Sequence, residues 1–183
     1  QRSISHRADL EQILDAITMG LSELFGDEVT MIRLIDADES TTHVLASSHG
    51  LPDSVANAIR RLPISTGPGG HAIRDGALVV VNDLAASPDA VPALVDFGVT
   101  TMMAAPVHEN GRTVGAVLVG SRDGARTFGD PEQEALLAFA EHASIALTDA
   151  DALAGMHRSL HDALTRLPNR AQFVDRLDAA MNA

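Results

Sequence analysis

Leu10, Ile13, Leu14, Ile17, Leu21 and Leu24 recur at spacings of three and four, the apolar stripe of an amphipathic helix. The pattern predicts a helix over residues 6–25, ended by Gly26-Asp27. Beyond it the chain changes period. Val29–Ile35 and His43–Ser48 are rich in strand formers and flank the polar run Asp36–Thr42, which reads as a hairpin. Gly50-Leu51-Pro52 turns into a short helical stretch through Arg61. Ile64–Gly70 reads as a glycine-rich loop, followed by about one helical turn over His71–Asp75 and a short strand over Leu78–Val81. A brief helix is expected over Ala90–Phe97. The clearest hairpin joins Thr101–His108 to Arg112–Val119 through Asn110-Gly111, a pair that tolerates the positive φ of a type I′ turn. Glu109 and Arg112 bracket that turn, and an exposed ion pair there would contribute at most about 1 kcal/mol. Gly115 and Gly120 interrupt the second strand, a mark of close backbone approach.

A long helix closes the pattern. Asp130 is placed to cap it, Pro131 suits its first turn and Gln133 stands where a capping box has its returning side chain. Pro168 disfavours helical geometry at Leu167 and predicts a stop between Thr165 and Leu167. Leu153, Met156, Leu160 and Leu164 keep the spacing of a coiled-coil seam. Helix, two strands, short helices around a strand, two strands and a long helix together predict an α+β fold on an antiparallel sheet.

Composition narrows the function. The 183 residues carry a formal charge of −12, with 13 basic residues that are all Arg. No basic stripe is present to neutralise phosphates, so nucleic acid and anionic membranes are disfavoured partners. Without Lys there is neither a Schiff-base amine nor a Walker-type phosphate loop. Without Cys there is no disulfide, thiolate metal site, cysteine nucleophile or thioether-linked chromophore. No apolar run approaches the roughly 20 residues of a membrane span, and the expected location is cytoplasmic. The chain begins at Gln1 without Met and reads as a fragment.

Several features taken in order carry a family resemblance: Gly50-Leu51-Pro52, Gly67-Pro-Gly-Gly70-His71-Ala-Ile before Leu78–Asp83, the Asn110-Gly111 hairpin with Val114–Leu118, and Phe128–Leu137. Residues 1–150, including the first helix, resemble a GAF sensory domain. The resemblance implies a GAF-like (PAS/GAF) central antiparallel sheet with helices on both faces and a long C-terminal signalling helix. Asp162-Ala-Leu-Thr-Arg-Leu-Pro-Asn-Arg170 resembles the opening signature of GGDEF domains, typified by diguanylate cyclases that make cyclic di-GMP from two GTP. The expected organisation is a GAF domain over 1–150, a helical linker over 151–165 and the truncated start of a GGDEF domain over 166–183. The catalytic residues of that second family lie past Ala183, so this fragment is expected to be inactive while the full-length protein is expected to be a diguanylate cyclase, with or without a phosphodiesterase domain.

By the same resemblance, small ligands sit between the sheet and the short helices, and the first and last helices form a homodimer that governs the GGDEF output in cis. The residues expected around the pocket are Ser47, His49, His71, Arg74, Asp83, Phe97, Met102 and Met103. Among these, Arg74 could clamp a carboxylate or phosphate beside glycines that allow close approach. Cyclic AMP or GMP is disfavoured, because of the pattern N-K…F-x-x-x-D-E only Phe128 matches, against Ser121, Arg122, Glu132 and Gln133. Haem would need an axial His in a wide apolar pocket; His49, His71 and His108 are the candidates, and isolated imidazoles are ordinarily structural. No cofactor is assigned, the small ligand is unidentified, and no metal site is expected. The pair His157 and His161 shares a helix face and reads as a solvated linker face. The alternatives to a ligand sensor are a ligand-free dimerisation module and a haem-based gas or redox sensor.

Overall fold

A computed structural model describes residues 2–26 and 28–160, with side chains over 9–26 and 28–152. Helix α1 (Arg2–Phe25) leads into β1 (Val29–Ile35) and β2 (Thr42–His49), then α2 (Asp53–Ala58), β3 (Arg61–Pro63), α3 (Gly67–Asp75), β4 (Val79–Val81), α4 (Pro92–Asp96), β5 (Thr101–Glu109), β6 (Arg112–Ser121) and α5 (Asp130–Leu160). The six strands form one antiparallel sheet in the order β3-β2-β1-β6-β5-β4. The α+β architecture expected from the hydrophobic pattern is therefore present.

The sheet has a core on each face. On one, Leu14, Ile17 and Leu21 of α1 and Leu136, Ala140, Ala143 and Leu147 of α5 close over Ile32, Met103, Ala105, Val107, Val117 and Val119. On the other, Ala72 and Ile73 of α3 and Leu94 of α4 cover Met31, Met102, Ala104, Ala116 and Leu118. Side chains of a strand point alternately to opposite faces, so strands buried on both faces read as continuous apolar runs. That is the case for Val29–Ile35 and Thr101–Val107.

Local chemistry accounts for several boundaries. Asn110 and Gly111 have φ of 51° and 78°, the pair of positive values that a type I′ turn requires. Glu109 and Arg112 face each other as its last rung. At the head of α5 the returning side chain is Glu132, whose carboxylate accepts from the Gly129 amide at 3.1 Å, while the Gln133 amide donates to the Phe128 carbonyl at 2.9 Å. Only the returning half of a capping box is present, one residue earlier than the sequence suggests, since Gly129 has no side chain to complete it and Asp130 is already inside the helix. The predicted stop near Pro168, the seam residues Leu153, Met156, Leu160 and Leu164 and the pair His157/His161 lie outside the described side chains or residues. No helix among the described residues is long and apolar enough to cross a membrane.

Two expectations need correction. Arg61–Pro63 pairs with Thr42–Val44 as β3, one of the two edge strands, rather than ending a helix. Gly67–Gly70 is the buried first turn of α3, not a loop. A Cβ on Gly70 would collide with the Ile64 carbonyl, and one on Gly69 would lie 3.1 Å from Leu118 and 3.4 Å from Arg33 Cδ. The glycines are there because the helix backbone packs directly onto the layer beneath it.

Candidate functional site

The face under the short helices is apolar except for one buried polar couple. Arg33, in the middle of β1, and His43, near the start of β2, are 2% and 1% exposed. Arg33 Nε donates to His43 Nδ1 at 2.5 Å, and Nη2 donates to the carbonyls of His43 at 3.3 Å and Ile59 at 2.8 Å. Since Nδ1 accepts, the His43 proton is on Nε2. Among the described residues Arg33 Nη1 is buried without a hydrogen-bond partner, and His43 Nε2 has no well-aligned acceptor, although the backbone of Pro63 and Thr66 lies close enough to act on it. Burial lowers the Arg33 pKa to about 10, which leaves it a cation at neutral pH. Burial, and secondarily the Arg33 charge, lower His43 to about 4, so its imidazole is neutral. A guanidinium sealed inside a core with no carboxylate in contact is costly.

A register shift puts the couple there. Ile32 pairs with Ser47 but Arg33 pairs with Leu45, so Ala46 is the extra residue of a β-bulge, a device that re-aims side chains. Neither Arg33 nor His43 is among the residues the pattern singles out. The available signal was a lone Arg inside the apolar run Val-Thr-Met-Ile-Arg-Leu-Ile of β1, since charged residues are rarely fully buried unless paired.

The eight residues expected around one pocket do not converge. Met102 is buried beneath the short helices, whereas its neighbour Met103 faces α1 and α5. Ser47 also lies on the α1 face, where its hydroxyl donates to Asp15 Oδ1 at 2.6 Å and meets Thr18 Oγ1 at 2.9 Å. His49 is exposed opposite Thr30, whose hydroxyl donates to the Thr18 carbonyl of α1 at 2.6 Å. Arg74 is exposed and paired with its neighbour Asp75 at 2.8 Å, and Asp83 is exposed, accepting from the Ala86 amide at 3.2 Å. Phe97 is half-buried under the Arg122 guanidinium, 4.7 Å from its ring centroid. Alternation places Ser47, His49 and Met103 on the wrong face for that pocket, and solvent draws Arg74 and Asp83 outward.

His71 has a defined partner. Its Nε2 lies 2.6 Å from Asp89 Oδ2. Asp89 also accepts from the Gly67 amide at 3.0 Å and from the Ser87 hydroxyl at 2.8 Å, thereby fastening the start of α3, which has no side-chain cap of its own. Partial burial pushes the Asp89 carboxyl upward, but Ser87, His71 and the backbone amides outweigh it and hold the pKa below the usual range. Of the three imidazoles weighed for haem, His71 is thus engaged by Asp89, His49 is exposed, and His108 Nδ1 contacts Thr113 Oγ1 at 3.3 Å. No group of three or more potential ligands that could hold a metal occurs among the described residues. A separate groove of about 350 Å³ opens between the β5–β6 turn and α5, lined by His108, Asn110, Ser144 and Thr148 among others.

The comparisons with known proteins address the fold. No curated protein matches the chain at a significant level. Among solved structures, the GAF domain/HD domain protein from Geobacter sulfurreducens is 19% identical with a TM-score of 0.68, covering 81% of this chain and 97% of that one. Free methionine-R-sulfoxide reductase from Neisseria meningitidis, solved with its substrate, is 26% identical with a TM-score of 0.67, covering 82% and 86%. A domain of a two-component sensor histidine kinase protein from Sinorhizobium meliloti is 16% identical with a TM-score of 0.65, covering 81% and 96%. A family model described as GAF domain matches residues 7–148, all six strands and most of both flanking helices, and the chain belongs to the GAF domain family.

Proposed function

We propose that this chain is a sensory GAF module that takes a small ligand between the sheet and the short helices, dimerises through α1 and α5, and controls an attached diguanylate cyclase (GGDEF) domain in cyclic di-GMP signalling. The observation that carries the reading is the continuity of α5. Its first turns belong to the core through Leu136, Ala140, Ala143 and Leu147, and the same helix runs on to Leu160, two residues before the Asp162–Arg170 stretch that resembles the GGDEF opening. That stretch lies outside both the described residues and the family match, so the output domain rests on its sequence alone.

Dimerisation is supported by the outer surfaces of the two helices. Ile13, Met19 and Leu24 of α1 and Leu137 and Ile145 of α5 are 45–59% exposed, apolar area that a second copy would cover. Two GTP-bearing sites must meet for a cyclase to join them, so a helix pair that changes register or crossing angle can set activity by proximity. A ligand favouring one packing shifts that equilibrium.

Inserting four residues at Gly155, in a chain that carries the complete second domain, rotates and displaces the output relative to α5. Cyclic di-GMP synthesis and its response to ligand should both change. Unchanged synthesis and response would refute the coupling.

A further inference from the structure

We propose that Arg33 anchors a small-anion site beneath the first turn of α3, and that the input ligand carries an oxyanion, a carboxylate or a phosphate, met by the Arg33 Nη1 edge. The inference rests on the reading of the short-helix layer as the sensory pocket and adds the ligand's chemistry to it.

Three observations lead there. First, Arg33 is 2% exposed and all its hydrogen bonds go to uncharged acceptors, the His43 ring, the His43 carbonyl and the Ile59 carbonyl. A buried cation without a counter-charge carries a desolvation cost that hydrogen bonds to neutral acceptors offset only in part. Second, Arg33 Nη1 is a buried donor with no acceptor among the described residues, and such a group carries an unrecovered desolvation cost. Third, the positive end of a helix lies on top of Arg33. Gly69, in the first turn of the nine-residue α3, packs over the Arg33 stem; the N-cap Thr66 supplies no side-chain bond, and the Asp89 carboxylate that reaches the helix start is engaged at the Gly67 amide. The amides of a helix N-terminus and a guanidinium without a counter-charge are each complementary to an anion.

The geometry also limits the ligand. Nε and Nη2 are already committed to His43 and Ile59, so Arg33 offers one edge to one oxygen and not the two-pronged grip of an exposed Arg. The roof is tight: added atoms at Gly69 would meet Leu118 at 3.1 Å. A small headgroup fits this description, and its entry requires the first turn of α3 to lift, the turn that Asp89 fastens through the Gly67 amide.

The test is thermal shift and calorimetric titration of the 183-residue chain and of Arg33→Met with sodium acetate, inorganic phosphate and, as a neutral isostere of acetate, acetamide, at constant ionic strength. Acetate or phosphate should raise the wild-type Tm, acetamide should not, and Arg33→Met should weaken the anion by at least about tenfold, as loss of a charge-assisted hydrogen bond predicts. The relative strength of the two anions assigns the headgroup. Equal anion shifts in both proteins overturn the proposal, because the anion then binds elsewhere. An acetamide shift equal to that of acetate overturns the anion class while leaving the sensory reading intact. No shift with any probe overturns the anion site, and the sensory reading falls with it only if neutral metabolites also fail. Should Arg33→Met not fold, guanidinium NMR of the wild type decides: Arg33 Nη resonances unmoved at saturating acetate and phosphate overturn the assignment.

Discussion

Acid should unfold this domain partly through one imidazole. His43 is neutral in the fold, with its Nδ1 accepting from Arg33 Nε at 2.5 Å, and its pKa falls from 6.5 to about 4 through burial and the Arg33 charge. Above the unfolded value both states carry neutral His43 and nothing is lost. Between 6.5 and 4 only the unfolded chain takes up the proton, so stability declines as pH falls through that window. The linkage amounts to about 2 kcal/mol at pH 5 and about 3 kcal/mol at pH 4, as an upper figure. Carboxylates such as Asp89 titrate nearby, so the measurement is a difference. Urea denaturation of wild type and His43→Gln, whose amide oxygen can still accept from Arg33, is compared at about pH 7.5 and pH 5. The variant should lose about 2 kcal/mol less than wild type over that interval. Parallel losses in the two proteins would refute the claim that His43 is held neutral.

Other substitutions test the packing and the proposed dimer. Gly70→Ala, which drives a methyl into the Ile64 carbonyl, should cost about 1–3 kcal/mol in denaturant unfolding, whereas Gly124→Ala, with nothing within 4 Å, should change it little. Leu21→Ala or Leu136→Ala, both fully buried, should cost about 2–5 kcal/mol; Leu137→Ala, 45% exposed, should stay within about 0.5 kcal/mol when the same assay is run on the dissociated monomer. Ser47→Ala leaves Asp15 and Thr18 without their shared hydroxyl and should cost about 1–3 kcal/mol, read from thermal unfolding. Ile13→Glu combined with Ile145→Glu should weaken self-association in sedimentation equilibrium without lowering the Tm of the monomer, since both side chains are about half exposed.

What could be read from the sequence depended on how far each feature's cause lies along the chain. The Asn110-Gly111 turn and the start of α5 were legible because their chemistry is local, and the one slip there, Glu132 in place of Gln133, is a single position. Edge strand β3 was not legible, because three residues ending in Pro63 become a strand only by lying against Thr42–Val44. Gly67–Gly70 looked like a loop because glycine costs about 1 kcal/mol per helical residue, and only the approach of Ile64, Leu118 and Arg33 explains why a helix accepts it. The site residues fared worst. A pocket list drawn along the chain ignores alternation, which sends adjacent Met102 and Met103 to opposite faces, and the Ala46 bulge that resets the faces of β2 is invisible without its partner strand.

The same bulge bears on how input would reach output. The two cores share only the sheet, and a change under α3 must cross it to be felt by α1 and α5. Strand β2 spans that gap in five residues: His43 meets Arg33 on the short-helix face, and Ser47 is hydrogen-bonded to Asp15 and Thr18 of α1 on the other. Apolar contacts are non-directional, and small sliding between packed elements is a common mode of rearrangement. A hydroxyl bonded to a carboxylate at 2.6 Å instead ties one position on the strand to one position on the helix. Under the proposed function, an anion on the Arg33 Nη1 edge that shifts Arg33 and the bonded His43 together would disturb β2 at one end, and α1 would receive the disturbance through Ser47 as a displacement, while α5, held mainly by apolar side chains, would respond through its packing on α1 and β5.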